Sequence, residues 1–365
     1  MKLMLRVAFI FGITTTHHSR SCRLITQAFL LQPKIARKSF TKIATMASPS
    51  NDDATASSFY NVRHLTPHFG IEALDIDLNE VDLTKNNNNN NKVSFISQLK
   101  QDLIKHRAIL FRNQSLSGQR QVDISNALGT IESTFYKHPK SPHPDIFRVS
   151  NNEDEGCTQV GRSGWHIDGT FQKMPFMYQT MYFPSVAHGG DTYFVPLKEL
   201  YDSFSLEERE YYDTLWMATG RREALVHPLV YKHPFRQEEE ETMLFHCGRP
   251  FVTGWYCDSD TAKNDVNDAR VVNGVDTSKM VHPSVIQDQL TKKIESKLDD
   301  IGIRMKWQEG DFLISDNLGL AHYASEGTQG SSESVGLRIL HRTTVVGGRE
   351  TIPSKLDGRS SFTMR

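Results

Sequence analysis

Gly310-Asp311-Phe312-Leu313-Ile314-Ser315-Asp316-Asn317 is the stretch that decides the fold. Glycine and aspartate make a turn, Phe312 to Ser315 form a short apolar run that reads as a buried strand, and Asp316-Asn317 is a polar stop. The same signature recurs outward from it. Ala108 to Phe111, Met177 to Phe183, Thr192 to Val195 and Val335 to Val346 are apolar, β-branched or aromatic runs, most of them bounded by Gly, Asp or Pro. Helical patterns lie between them. Ser94 is an N-cap for a helix burying Phe95, Ile96, Leu99 and Leu103; Ser117 to Leu128 stops at Gly129; and Ser284 to Leu298 carries Ile286, Leu290, Ile294 and Leu298 four apart, with Gly302 beyond. The expected class is therefore mainly β with helical decorations.

The 365 residues include 42 basic and 43 acidic side chains, a formal charge of -1. No general basic field exists to hold a phosphate backbone, so neither nucleic acid nor an anionic membrane is an expected partner. No run approaches the ~18 apolar residues of a membrane span. Cys22, Cys157, Cys247 and Cys257 are scattered without a CxxC pair, which fits a reducing compartment better than a disulfide scaffold or zinc finger. Residues 1 to 46 are basic and hydroxyl-rich, with no acid before Asp52. They predict a targeting peptide to an organelle, the mitochondrion favoured and the plastid second. A secretory signal built on Val7 to Ile13 is a weaker reading, and translation from Met46 would leave a cytoplasmic protein. Residues 47–58 read as a linker and 59–350 as a single domain with a helical insertion over about 198–300. A tail covers 351–365, Asn86 to Asn91 form a surface loop, Glu238 to Glu241 a solvated one, and a homo-oligomer is allowed for.

Trp165-His166-Ile167-Asp168-Gly169 is the chemical centre. On an extended strand, an imidazole and a carboxylate one residue apart point to the same face and can meet one metal. Fifteen histidines would give about one His-x-Asp by chance, and His143-Pro144-Asp145 is a second, set between prolines and so expected in a turn. A third ligand is available in His322, just beyond the Asp316-Asn317 stop. Two His and one Asp make the facial triad of non-heme Fe(II) oxygenases, with positions left open for co-substrate and dioxygen, whereas structural zinc takes a closed tetrahedral set. Arg338-Ile339-Leu340-His341-Arg342 then puts two arginines on one strand face, about 13 Å apart. A buried arginine needs an anion, and the strand holds no acid.

These blocks, with Thr170-Phe171, Gly189-Gly190-Asp191-Thr192 and Gly347, resemble in order and spacing the taurine dioxygenase (TauD/TfdA) family of Fe(II)- and 2-oxoglutarate-dependent dioxygenases, over about residues 60 to 350. The resemblance implies a double-stranded β-helix, or jelly-roll, core. It implies Fe(II) held by His166, Asp168 and His322, 2-oxoglutarate chelating that iron with its far carboxylate on Arg338 and the Thr192 hydroxyl, and O2 as oxidant. It also matches His138 and Arg342 to positions that hold the anionic group of a small-molecule substrate. The expected reaction is hydroxylation, with release of succinate and CO2. Ser141 and Arg162 stand where the taurine enzyme has an aromatic hydroxyl and an amide, so taurine itself is not assigned. A carnitine-pathway trimethylammonium hydroxylase and a xanthine-type hydroxylase are alternatives within the family; a catalytically silent jelly-roll binding or sensor protein is the alternative outside enzymes. His227, His233 and His246 read as packing or lid residues.

Overall fold

Phe312, Leu313 and Ile314 lie in the middle of the largest sheet, in β15 (Asp311–Asp316). The computed structural model describes residues 58–84, 93–132, 136–161, 163–220, 224–236, 242–244, 251–259 and 269–364, all within one unit, Thr55–Arg365. The expected targeting peptide, nearly all of the linker, the asparagine loop, Glu238–Glu241, Arg162, His246 and Cys247 lie outside the described residues. The large sheet joins β1 (Asn61–His64), β2 (Ile71–Leu74), β3 (Ala108–Phe111), β4 (Phe147–Ser150), β5 (Phe176–Ser185), β15 and β17 (Ile339–Val346) in the order β1-β2-β3-β15-β5-β17-β4. A second sheet has the order β14-β6-β16, from β6 (Thr192–Pro196), β14 (Ile303–Met305) and β16 (Leu320–Ala324). Together they build the mainly β core that the residue pattern anticipates, in the jelly-roll form that the resemblance implies.

Alternation along each strand explains how both faces of the large sheet are buried. Ile109, Phe111, Tyr178, Tyr182, Phe312 and Ile314 pack with Phe95, Leu99 and Leu103 of α1 (Phe95–His106) and with Ile124 and Leu128 of α2 (Gly118–Leu128). Their neighbours Leu110, Met181, Phe183 and Leu313 point the other way and meet Phe194, Met305 and Leu320 of the second sheet. Both helices start as expected: Ser94 accepts from the Ser97 N–H, and Ser117 from the Arg120 N–H.

The segment 198–300 departs from the expected helical insertion. It does hold α4 (Leu206–Asp213) and α5 (Pro283–Ile301), but its bulk is a third sheet of β7 (Leu215–Thr219), β8 (Leu225–Pro228), β11 (Val252–Asp258), β12 (Val271–Val272) and β13 (Val275–Val281). A hairpin of β9 (Val230–Lys232) and β10 (Thr242–Leu244) adjoins it in sequence. These strands are short and broken by Gly, Pro and His, so they carry little period-2 signal. Ile286, Leu290, Ile294 and Leu298 of α5 do form the predicted stripe, buried in one cluster with Leu215, Met217 and Trp255 of the third sheet and with Trp165, Ile167, Val195 and Ala321. The insertion therefore buttresses the loop that carries His166. The expected tail is likewise structured: β18 (Phe362–Thr363) pairs with β8 and completes the third sheet.

Two boundaries shift as well. Val335 to Arg338 is not strand: α6 (Ser332–Val335) precedes a turn at Gly336, and β17 begins at Ile339. Trp165 to Gly169 is not an extended strand but a single bridge at His166 followed by a turn. His143-Pro144-Asp145 is in a turn, as expected.

Candidate active site

Across an isolated antiparallel bridge, the His166 N–H donates to the His322 carbonyl at 3.1 Å and the His322 N–H to the His166 carbonyl at 2.9 Å. This reciprocal pair sets the rings side by side, 4.3 Å between centroids. Asp168 reaches the same point by a turn at Gly169, whose φ of +79° and whose distance of 2.8 Å from a would-be Cβ to the Phe176 ring both demand glycine. The Nε2 atoms of His166 and His322 lie 3.7 and 4.0 Å from the Asp168 carboxylate, and one ligand atom from each residue falls within 4.8 Å of the other two. Among the described residues no other trio of His, Cys, Asp or Glu converges in this way.

The protonation states suit a metal. Burial holds the His166 imidazole below the usual histidine range and, with the neighbouring His166, pushes His322 down to about 3, so both rings stay neutral. The Nδ1 of His166 lies 2.6 Å from the Gly164 carbonyl, to which it donates, leaving Nε2 as the lone pair facing Asp168. Burial alone would raise the Asp168 carboxyl, but the charges around it, Arg342 foremost, hold it below the usual aspartate range. Two neutral nitrogens and one carboxylate form the donor set expected for Fe(II) with open positions.

A cavity of about 350 Å³ opens from this cluster, lined among others by Thr192, Arg338 and Arg342. Arg338 is 4% exposed, no carboxylate among the described residues pairs with it, and its Nε has no hydrogen-bond partner. Desolvation alone drags its guanidinium down to about 10. It lies over the Phe183 ring, 5.2 Å from its centroid, and against Gly190, where a Cβ would stand 3.1 Å from its Cδ. A cation buried at this cost is a cation awaiting an anion. The Thr192 hydroxyl accepts the Trp307 indole N–H at 3.0 Å, so its own hydrogen remains available to donate.

Arg342 also faces the cavity, but its Nη1 donates to the Asp168 carboxylate at 2.8 Å while the guanidinium lies 5.0 Å from the Phe147 ring centroid. The structure does not bring His138 to the cavity. Its ring is held by the Glu153 carbonyl at 3.0 Å and the Lys140 N–H at 3.3 Å, and Tyr136 of the same segment lines the wall instead. Ser141 is turned inward to the carbonyls of His143 and Ile146. Residue patterns passed over four participants. Trp307 orients Thr192, Phe147 and Leu340 line the wall, and Asn317 holds the backbone of Asp168. The Asn317 side chain accepts from the Asp168 N–H at 2.8 Å and donates to the Asp168 carbonyl at 2.9 Å and the Phe176 carbonyl at 2.8 Å.

The model of the taurine catabolism dioxygenase TauD, TfdA family matches residues 61–344. An alpha-ketoglutarate-dependent sulfate ester dioxygenase of Pseudomonas putida is 26% identical over 72% of this chain and 83% of its own. The alpha-ketoglutarate-dependent dioxygenase oryG of Aspergillus oryzae is 24% identical over 64% and 74%. In fold, the chain is similar to a taurine dioxygenase from Burkholderia xenovorans, with a TM-score of 0.59, 23% identity and coverage of 84% of this chain and 96% of that one. It is also similar to AAD-2 in complex with Mn(II) and N-oxalylglycine, with a TM-score of 0.56, 16% identity and coverage of 81% and 100%.

Proposed function

Because the chain belongs to the taurine catabolism dioxygenase TauD, TfdA family, we propose that its cavity oxidises a small organic anion, with iron held by His166, Asp168 and His322 and 2-oxoglutarate held by Arg338 and Thr192. The chain is a 2-oxoglutarate-dependent non-heme iron dioxygenase that uses Fe(II), 2-oxoglutarate and O2. When bound, iron and its co-substrate supply the oxidation of a substrate C–H bond, with 2-oxoglutarate leaving as succinate and CO2.

The buried guanidinium of Arg338, with no carboxylate partner among the described residues, carries this reading. A fork of N–H donors matches a carboxylate bidentately, and Thr192 adds one hydrogen from beside it. Arg342 sits at the metal-ligand end of the same wall, where an anionic group of the substrate competes with Asp168 for its donors. Phe147, Val149, Met181 and Leu340 keep that wall apolar and exclude water, which strengthens each charged contact. With Arg338 committed to 2-oxoglutarate, Arg342 is the charge that faces the substrate, and it favours an anion over the carnitine-type trimethylammonium. Hydroxylation beside a sulfonate or sulfate ester, with subsequent loss of the hetero-group, is the favoured outcome. Delivery to an organelle, the mitochondrion first, is proposed from residues 1 to 46, and imaging of a C-terminally tagged full chain tests it.

Anaerobic addition of Fe(II) and 2-oxoglutarate to the purified protein should raise the weak visible charge-transfer band of the chelate. A panel of sulfonates, sulfate esters, carboxylates and quaternary amines, read by succinate release, then identifies the substrate class. Absence of the band in the wild type, or its persistence in His166→Ala, would sink the site assignment; turnover of amines alone would sink the anion.

A further inference from the structure

We infer that Asn317 is a positioning residue for the metal ligand Asp168, and that the buried His233–Asp316 pair sets its aim, so that the β9 hairpin segment reaches the metal centre through the Asp316–Asn317 turn. The inference rests on the triad reading above. Three side-chain bonds of Asn317, to the Asp168 N–H, the Asp168 carbonyl and the Phe176 carbonyl, fix both peptide faces of Asp168 and tie its turn to the start of β5. Its own N–H donates to the Met177 carbonyl at 3.0 Å, so the residue is held at both ends. Only an amide supplies one acceptor and two donors in this arrangement.

Asp316 holds the turn from which Asn317 points. One carboxylate oxygen accepts from the N–H groups of Leu318 and Gly319 at 2.9 and 3.2 Å; the other takes the Nε2 of His233 at 2.9 Å, and both side chains are buried. Gly319 is required here, since a Cβ would lie 2.6 Å from that second oxygen. The Tyr231 hydroxyl, just past the start of β9, donates to the Leu318 carbonyl at 2.9 Å, a second tie from the same segment to the same turn. His322 leaves this turn in β16, so one turn serves two of the three ligands.

Mn(II) titration of the apoprotein, followed by electron paramagnetic resonance with and without N-oxalylglycine, reads metal affinity without turnover. Asn317→Ala should weaken Mn(II) about 10- to 100-fold, the usual loss for a residue that orients a ligand. Asn317→Asp, which keeps the acceptor but sets a carboxylate oxygen against two carbonyls, should weaken it at least as much. His233→Gln, which can still donate to Asp316, should stay within a factor of about 3 of wild type, whereas His233→Leu should lose about 10-fold. Gln121→Ala is the control: that equally buried amide bonds Thr180 and the His341 carbonyl but no ligand, so it should lower Tm and leave Mn(II) affinity unchanged. Asn317 variants that melt early yet bind Mn(II) like wild type, or that do not fold at all, would assign the residue to the fold alone and overturn the proposal. Failure of wild type to bind Mn(II), or undiminished binding by His166→Ala, would instead overturn the triad reading.

Discussion

Arg338 and Arg342 differ in what they touch, and the difference predicts different phenotypes. Arg338 is buried with no carboxylate partner among the described residues, so replacing it removes a charge-assisted bidentate donor for the co-substrate. Such a partner is worth roughly 1.5 to 3 kcal/mol, so Arg338→Gln should raise the 2-oxoglutarate concentration needed for the visible band by roughly 10- to 150-fold. Arg342 donates to Asp168. Arg342→Gln should leave that concentration nearly unchanged and slow turnover of an anionic substrate more than that of a neutral one. Titrating 2-oxoglutarate into both variants decides it: equal losses would mean that the roles are wrongly divided, and no loss in either would show that Arg338 serves only the fold.

The C-terminal fifteen residues predict an effect at the scale of an element. Arg359 forks onto the two Asp258 carboxylate oxygens at 2.7 and 3.0 Å, Lys355 adds a third contact at 3.2 Å, and both cations lie over the Trp216 ring. Phe362 packs on Trp216 from β18, and the Ser361 hydroxyl lies 2.6 Å from His227 Nδ1. Ending the chain at Glu350 strips the third sheet of an edge strand and leaves Asp258 without two partners. We expect a loss of roughly 2 to 3 kcal/mol, or about 5 °C in Tm, and weaker metal retention, because this sheet backs α5 and the His166 loop. By contrast, a chain beginning near Ser48 should melt with the full one, since residues 1 to 46 have the composition of a targeting peptide. Differential scanning calorimetry of the two truncations checks both; an unchanged Tm for the first would show that β18 contributes nothing.

Over the whole molecule, buried neutral histidines set the acid limit. Burial drives His227 down to about 4, with bonds to the Thr170 and Gln172 backbone opposing it; burial and Arg148 drive His341 down to about 4. The unfolded chain takes up these protons near pH 6.5, the folded one only near 4, so the two groups leave stability flat above 6.5 and lower it as pH falls from 6.5 to 4. Each contributes a slope of about 1.4 kcal/mol per pH unit, or about 2 kcal/mol lost by pH 5. Urea midpoints at pH 7 and 5 measure the loss; equal stability at the two would mean that these rings are charged in the fold.

What the sequence determined by itself is local chemistry. His-x-Asp spacing, the polar stop ahead of His322, helix caps at Ser94 and Ser117, and a four-residue stripe over Ile286 to Leu298 are short-range features, legible because each depends on neighbours within a few positions. His166 and Asp168 converge even though a bridge and a turn replace the expected strand, since one intervening residue suffices in either geometry. Only the tertiary structure decided the partners. Arg342 meets Asp168 across 174 positions, Asn317 meets it across 149, and that no carboxylate among the described residues pairs with Arg338 depends on everything packed around it. His138 matched a binding position in order along the chain, yet its ring is held by Glu153 and Lys140. The third sheet stayed illegible for the same reason: its short strands are specified by pairing and by packing against α5 rather than by their own periodicity.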